Sequence, residues 1–166
     1  MNSADSLTKP LTSLTADRNP KYWDERTKGS APHKPFLLLS ILDGIEQGWI
    51  TSNRIELSQD LKDAFFSYWN IILGEGRKTK VTTPFIHLGN GPFWSLVDNK
   101  HADIENRLFK FINTTNGRQR IRDVLLREYF SPETANIILE IIESNGAAWD
   151  YSIETDLLVN NPFEAY

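Results

Sequence analysis

The sequence predicts a mainly helical α+β protein, a winged-helix-like bundle with a small antiparallel β-hairpin. Apolar residues recur at the three-to-four spacing of a helix face in five segments of the chain. An Asn-Gly turn signal separates two short runs of strand-forming residues in the middle. The chain has 166 residues, which suits a single domain with one core.

Two helices are predicted ahead of the hairpin. The first covers residues 36–47, follows Pro35 and ends at Gly48, because Pro fits the first turn of a helix and Gly fits the residue after the last turn. Residues 49–57 then form a short extended link. The second helix is capped by Ser58, and its apolar face consists of Leu61, Ala64, Phe65, Tyr68, Trp69, Ile72 and Leu73.

The hairpin is predicted from residues 81–88 and 92–97, with its turn at Asn90-Gly91. Three cations come directly before the first strand: Arg77, Lys78 and Lys80. The hairpin is therefore expected to be basic.

Three amphipathic helices are predicted after the hairpin. The first starts near Ile104, and the second follows the break at Asn116-Gly117. The third starts after Ser131, a preferred cap residue, and residues 145–146, an Asn-Gly pair, end it.

The two ends of the chain lack a strong pattern. Residues 1–20 are rich in small polar residues and are predicted to be a flexible N-terminal arm, whereas residues 21–166 form a single domain. Within that domain, residues 147–166 are acidic and weakly patterned.

The composition excludes several classes of protein. Forty per cent of the residues are hydrophobic, and nine Phe, five Trp and five Tyr are present, which argues against a disordered, collagen-like or coiled-coil chain. There is no Cys, so neither a disulfide framework nor a thiolate zinc site is possible. The sequence shows no membrane-length apolar run and no signal-peptide order, so we expect a cytoplasmic protein without a membrane partner.

The charge is distributed unevenly along the chain. Residues 1–127 hold all 18 basic side chains and 14 acidic ones, a net of +4, whereas residues 128–166 hold 8 acidic side chains and no Lys or Arg, a net of −8. The overall charge of −4 therefore hides a basic part, which suits a nucleic-acid-binding face as well as it suits an ordinary solvated surface.

No pattern of catalytic residues is found. The phosphate-binding loop, the zinc-protease pair of histidines and the nucleophile elbow are all missing, so we expect a protein that is not an enzyme by itself and needs no cofactor. The densest group of His and carboxylate side chains consists of Asp98, His101, Asp103 and Glu105. It lies where a helix start favours acids, so helix capping is preferred over metal binding.

Three short segments of the chain, each basic or apolar, suggest binding to DNA. His33 and Lys34 lie near the start of a buried helix, where they could hold an anion or simply be solvated. The cations at residues 77–80 are either a phosphate-tracking wing or a solvated turn. Thr83, Pro84, Phe85 and His87 follow them and place an apolar surface beside a cationic one, although part of this segment is core.

Several of these blocks, in this order, form a recognisable pattern. They are residues 31–39 (Ala-Pro-His-Lys-Pro-Phe-Leu-Leu-Leu), residues 65–69 (Phe-Phe-Ser-Tyr-Trp), residues 83–88 (Thr-Pro-Phe-Ile-His-Leu) and residues 91–94 (Gly-Pro-Phe-Trp). The pattern resembles the sulfur-binding domains of phosphorothioation-dependent type IV restriction endonucleases, over roughly residues 28–97. Such domains recognise DNA in which sulfur replaces a non-bridging phosphate oxygen, and an HNH nuclease domain usually follows them.

The resemblance implies roles for individual residues. His33 and Lys34 match the family's His-basic pair, with Lys34 standing where Arg is common, which weakens a two-pronged contact to a base. The sulfur pocket is similar to Thr83, Pro84, Phe85 and His87, with Thr83 in place of a usual aromatic residue. A further basic residue contacts bases in relatives, and its candidates here are Arg107, Lys110, Arg118 and Arg120.

The sequence thus predicts a non-catalytic module that binds phosphorothioate-modified duplex DNA and targets a fused or associated HNH nuclease. Its DNA-binding residues would be His33, Lys34, Arg77, Lys78, Lys80, Arg118 and Arg120. Two alternatives are a winged-helix-like binder of unmodified DNA and a protein-interaction domain that uses the acidic C-terminal part.

Overall fold

The computed structural model of the chain describes residues 3–74 and 76–158, with side-chain environments given within residues 5–74 and 76–145. These residues form a mainly helical α+β fold with a three-stranded antiparallel sheet, so the predicted fold class is confirmed. None of the described helices is long and apolar enough to cross a membrane.

The helices are α1 (Ser3–Thr8), α2 (His33–Gln47), α3 (Gln59–Ile72), α4 (Thr82–His87), α5 (Asn106–Ile112), α6 (Thr115–Tyr129) and α7 (Pro132–Leu158). The strands are β1 (Arg54–Glu56), β2 (Trp94–Asp98) and β3 (His101–Ile104). Short 3-10 turns cover Lys9–Thr12, Glu25–Thr27 and Leu88–Asn90.

Helix ends follow the predicted capping residues. Gly48 ends α2 with a left-handed backbone (φ 88°), which Gly adopts without a steric penalty. Ser58 caps α3 by accepting a hydrogen bond from the backbone N–H of Leu61 at 3.2 Å. Ser131 caps α7 in the same way, through the N–H of Thr134 at 3.2 Å.

The hairpin lies later in the chain than predicted. Residues 82–87 form helix α4, and the hairpin is made by β2 and β3, whose turn is fixed by Asp98 Oδ1 accepting from the N–H of Lys100 at 2.8 Å. The helix tolerates Pro84 because Pro84 is its third residue, and the first four N–H groups of a helix have no partner within it. The prediction of a strand over residues 81–88 is therefore wrong.

The link between α2 and α3 contributes the third strand. β1 pairs with β3, with Ile55 opposite Ala102, and the sheet order is β1-β3-β2. The chain therefore runs α2-β1-α3-α4-β2-β3. This element order is like that of a winged helix, although residues 73–81 separate α3 from α4 in place of the short turn of a helix-turn-helix.

Helix α2 runs through the centre of the core. Phe36, Leu37 and Leu39 are fully buried, and the ring of Phe36 stacks on Tyr68 (5.9 Å between centroids) and Phe130 (5.4 Å). Further along α2 lies a buried polar group. Asp43 accepts a hydrogen bond from the hydroxyl of Tyr68 and lies 3.6 Å from the guanidinium of Arg122.

The N-terminal segment packs against the domain. Its residues 3–12 are helical, and Leu11 is buried with only 1% of its surface exposed. The hydroxyl of Tyr129 donates to the carbonyl of Leu11 and accepts from the N–H of Leu14 at 3.0 Å. In the structure, one large apolar side chain and one tyrosine hydroxyl thus hold part of the predicted arm to α6.

The last helix is longer than predicted. Helix α7 continues through Asn145 and Gly146 to Leu158. A Gly inside a helix costs only about 1 kcal/mol relative to Ala, so the Asn-Gly pair does not end this one. Residues 159–166 of the predicted domain lie outside the described residues.

Candidate nucleic-acid interface

Two adjoining concavities lie where α2, α4 and the N-terminal segment meet. We call the first the His33 cleft. It has a volume of about 400 Å³ and is lined by Thr15, Ala16, Asp17, Trp23, Ala31, His33, Lys34, Thr83, Pro84, His87 and Asn90. The second, the Lys9 cavity, has about 470 Å³ and shares Thr15, Lys34, His87 and Asn90 with the first.

Helix α4 determines which side chains face the His33 cleft. Residues three and four apart lie on the same face of a helix, which groups Pro84 with His87 and Thr83 with His87. All three line the cleft. Pro84 itself is mostly covered, whereas Thr83 and His87 are exposed at the mouth.

Phe85 lies on the opposite side of α4 and is not part of the cleft. It is fully buried, and its ring meets that of Trp94 edge-on at 5.1 Å. Its carbonyl accepts a hydrogen bond from Trp94 Nε1 at 2.7 Å. The assignment of Phe85 to a sulfur pocket is wrong because, in a helix, residue 85 is turned about 200° away from residue 83, whereas in a strand both would share one face.

His33 is an uncharged wall of the cleft. Its Nε2 lies 3.0 Å from the hydroxyl of Thr79, and its ring contacts Trp69 (4.8 Å) and Trp23 (5.6 Å). Burial lowers the pKa of His33 to about 4. The imidazole is therefore neutral at pH 7 and adds no positive charge to the cleft.

Lys34 stands where the two concavities join. Its Nζ donates to the backbone carbonyl of Thr15 at 2.8 Å and to the Thr15 hydroxyl at 2.9 Å. Partial burial lowers the pKa of the ammonium. Since an ammonium has three N–H groups, one remains for a ligand once Thr15 has accepted two.

The cations of residues 77–80 lie beside the cleft. The guanidinium of Arg77 is 5.2 Å from the centre of the Trp23 ring, and the Arg77 carbonyl accepts from Trp69 Nε1 at 3.1 Å. Lys78 and Lys80 are exposed and flank Thr79, the hydrogen-bond partner of His33. The structure thus brings these cations close to His33, but not within a hairpin.

Arg118 is not part of this surface. Its Nε lies 3.5 Å from Glu46 near the C-terminal end of α2, and its Nη1 donates to the carbonyl of Ile112 at 3.1 Å. Lys34 and Glu46 are twelve residues apart on α2, which corresponds to about 18 Å along the helix axis.

Arg120 also lines neither concavity. Its guanidinium is 3.3 Å from the carboxylate of Asp5 on α1. The predicted DNA-binding set therefore divides into a group around the cleft and two arginines outside it.

The N-terminal wall of the cleft was not predicted from the sequence. Asp17 accepts a hydrogen bond from Trp23 Nε1 at 2.8 Å, and its backbone carbonyl accepts from the N–H of Ala31 at 2.8 Å. These bonds place Thr15 and Asp17 opposite the helix start that carries Lys34. No local motif marks Thr15, since its position depends on the contacts of nearby Leu11 and Leu14 with Tyr129, more than a hundred residues later in the chain.

The His and carboxylate cluster has structural roles. Glu105 caps α5 by accepting from the N–H of Leu108 at 2.8 Å, as predicted. Asp98 pairs with His101 Nδ1 at 2.9 Å and Asp103 pairs with Arg54 at 2.9 Å. Among the described residues, no group of three or more His, Asp or Glu side chains is placed to hold a metal ion.

The His33 cleft combines three chemical features. A mostly covered Pro ring and the small side chains of Ala16 and Ala31 are apolar, the His33 imidazole is neutral, and the Lys34 ammonium is charged. The wall of the cleft also contains the carboxylate of Asp17, which accepts a hydrogen bond from Trp23 Nε1. Neither a scan against protein-family models nor a search of the curated proteins finds a match for this chain.

Proposed function

We propose that this protein recognises phosphorothioate-modified duplex DNA, with the sulfur seated against Pro84 and the charge of the linkage compensated by Lys34. The observation that carries the proposal is the meeting of these two residues in one cleft, although they lie fifty residues apart in the sequence. The motif resemblance described above supports the same two residues.

The chemistry of sulfur explains why such a cleft could be selective. A phosphate oxygen that enters an apolar wall loses water and finds no hydrogen-bond donor in return, which costs free energy. Sulfur is larger, more polarisable and more weakly hydrated, so it loses less when it meets the Pro84 ring. A neutral His33 fits this scheme, because it adds a hydrogen-bonding group without a second tightly hydrated charge.

The cations around the cleft would supply affinity without selectivity. Lys34, Lys78, Lys80 and Arg77 are all near the cleft and would contact phosphates of either kind of DNA. Sulfur preference and overall affinity would therefore depend on different side chains, which makes them separable by mutation.

The position of α4 supports binding to a duplex. In the order α2-β1-α3-α4-β2-β3, α4 is the helix that precedes the β2–β3 hairpin, as the recognition helix of a winged helix does, and it carries Thr83, Pro84 and His87. The same observation favours a second candidate function, binding of unmodified DNA by an ordinary winged helix. In the proposed setting the protein acts in the cytoplasm and directs an HNH nuclease, fused or associated, to modified DNA.

The test is a titration of the protein with two duplexes of the same sequence, one of which carries a single phosphorothioate linkage. The proposal predicts tighter binding to the modified duplex at every salt concentration, with equal salt slopes, because one sulfur changes the fit and not the number of neutralised phosphates. Equal affinities would exclude the proposal and leave the ordinary winged helix. Absence of binding to both duplexes would exclude both functions.

A further inference from the structure

The Lys9 cavity continues the His33 cleft on the far side of Lys34. The two concavities share Thr15, Lys34, His87 and Asn90, so a chain-like ligand could pass from one to the other without leaving the surface. The residues that line only the Lys9 cavity have no part in the proposed recognition of sulfur.

The lining of the Lys9 cavity is cationic and apolar. Its cations are Lys9 and Lys34, and its apolar part consists of Pro10, Leu14, Leu88, Pro92 and Phe93. The described residues that line it include no Asp or Glu. The His33 cleft differs in this respect, since Asp17 lies in its wall.

The wall that carries Lys9 is fixed to the domain. Lys9 begins a 3-10 turn that leads directly to Leu11, and Leu11 and Leu14 are held by the hydroxyl of Tyr129. Lys9 is exposed, and the described residues include no ion-pair partner for it. Its ammonium is thus available, on a backbone that is positioned before any ligand binds.

We propose that the Lys9 cavity binds the nucleotide next to the modified linkage on the same strand. The deoxyribose would lie on the apolar floor formed by Leu14, Pro92 and Phe93, and the next phosphate would face Lys9. This inference rests on the proposed function, because it places the modified linkage at Lys34 and Pro84. It adds a second subsite with a defined occupant, a sugar and its phosphate.

The volume is compatible with this occupant. A cavity of about 470 Å³ accommodates one nucleotide with solvent at its open side. Sugar and phosphate contacts of this kind set the register of a protein on DNA.

The test combines Lys9→Ala with duplexes in which single phosphates have been neutralised. Each duplex carries the phosphorothioate linkage and one methylphosphonate, placed at successive positions on either side of it. Lys62→Ala serves as the control, since Lys62 lies on α3 and lines neither concavity.

On the modified duplex without methylphosphonate, Lys9→Ala should lower the slope of log affinity against log salt concentration by about 0.9. Between 50 and 200 mM salt, the parent should therefore lose about 3.5-fold more affinity than the variant. That difference should disappear when the phosphate directly adjacent to the sulfur-carrying linkage, on one side of it, is neutralised. Lys62→Ala should leave the slope unchanged on every duplex.

The outcomes separate the two proposals. If the parent prefers the modified duplex but the effect of Lys9→Ala is the same on all the neutralised duplexes, or is absent, the second subsite is wrong and the recognition of sulfur stands. If the effect disappears only for a phosphate more than one linkage from the sulfur, the proposed occupant is wrong. If the parent shows no preference for sulfur, the proposed function fails, whatever Lys9 does.

Discussion

Lys34 and Thr15 are joined by two hydrogen bonds, one from Nζ to the backbone carbonyl at 2.8 Å and one to the hydroxyl at 2.9 Å. The contact links the start of α2 to the N-terminal segment, nineteen residues earlier in the chain. It holds the ammonium at the junction of the His33 cleft and the Lys9 cavity, with one N–H left for a ligand.

Replacing Lys34 by Ala should weaken binding to modified and ordinary duplexes together. Each phosphate contact contributes about 0.9 to the slope of log affinity against log salt, so the slope should fall by roughly that amount. The measurement is a salt series of binding titrations, with Lys62→Ala as the matched control. An unchanged slope for Lys34→Ala would remove Lys34 from phosphate binding.

The buried His33 should make stability depend on pH. Because burial lowers its pKa from about 6.5 to about 4, the unfolded chain binds a proton between these values while the folded protein does not. The free energy of unfolding should therefore gain a contribution from His33 as pH rises from 4 to 6.5, and lose it as pH falls. The contribution is about 3 kcal/mol at most, since the group is not fully buried.

Urea unfolding of the parent and of His33→Gln, at several pH values from 4.5 to 7.5, measures this contribution. The stability difference between the two proteins should be smallest at pH 4.5 and should level off above pH 6.5. Burial raises the pKa of Asp43 to about 6, which acts in the opposite direction, but Asp43 is present in both proteins and cancels from the difference. A difference that does not vary with pH would contradict a neutral, buried His33.

Gly117 should tolerate no side chain. A Cβ there would lie 1.7 Å from the carbonyl oxygen of Phe111, a backbone atom that cannot move aside easily. Gly117→Ala should therefore destabilise the protein by about 3 kcal/mol or more.

Gly89→Ala is the matched control for this substitution, because its Cβ would meet only side chains at ordinary contact distances, those of Leu96 at 3.6 Å and Trp94 at 3.9 Å. It should change stability by less than about 1 kcal/mol. Thermal unfolding of the two variants checks the prediction. Equal transition temperatures would show that the backbone of Gly117 does not lie as close to the Phe111 carbonyl as the structure has it.

The sequence was sufficient for the helices whose ends have specific chemistry. Ser58, Ser131 and Gly48 lie at helix ends as predicted, because capping depends on a few neighbouring residues. The wrong prediction of a strand at α4 also came from local signals, which were the β-branched residues before Pro84 and the Asn-Gly pair after it. The helix instead buries Phe85 against Trp94, a contact that these local signals do not reveal.

The site was predictable only in part, for a related reason. His33, Lys34, Thr83, Pro84 and His87 belong to short blocks of sequence, and all five line the His33 cleft. The wall opposite them depends on contacts between residues more than a hundred positions apart, such as those of Tyr129 with the N-terminal segment. No local pattern carries that information.

Pro84 offers the most direct test of the proposed function, because it is the apolar contact for sulfur and carries no charge. Pro84→Glu adds a carboxylate to the first turn of α4, which is a favourable place for an acid, but at a buried position, so its folding is checked by thermal unfolding before binding is measured. Thr82→Glu is its matched control. Thr82 is exposed in the same turn and lines neither concavity, so it adds the same charge to α4 outside the cleft.

The decisive measurement is the ratio of affinities for modified and ordinary duplexes, determined side by side for the parent, Pro84→Glu, Pro84→Ala and Thr82→Glu, after thermal unfolding has shown that each is folded. The account predicts a ratio well above one for the parent and for Thr82→Glu, and a ratio near one for Pro84→Glu. Pro84→Ala should lower the ratio by less than about twofold, because Pro84 is buried and only a small part of its ring can contact a ligand. Roughly 10 Å² of apolar contact at ~25 cal/mol per Å² corresponds to about 0.3 kcal/mol. A folded Pro84→Glu protein that kept the full preference for sulfur would contradict the account.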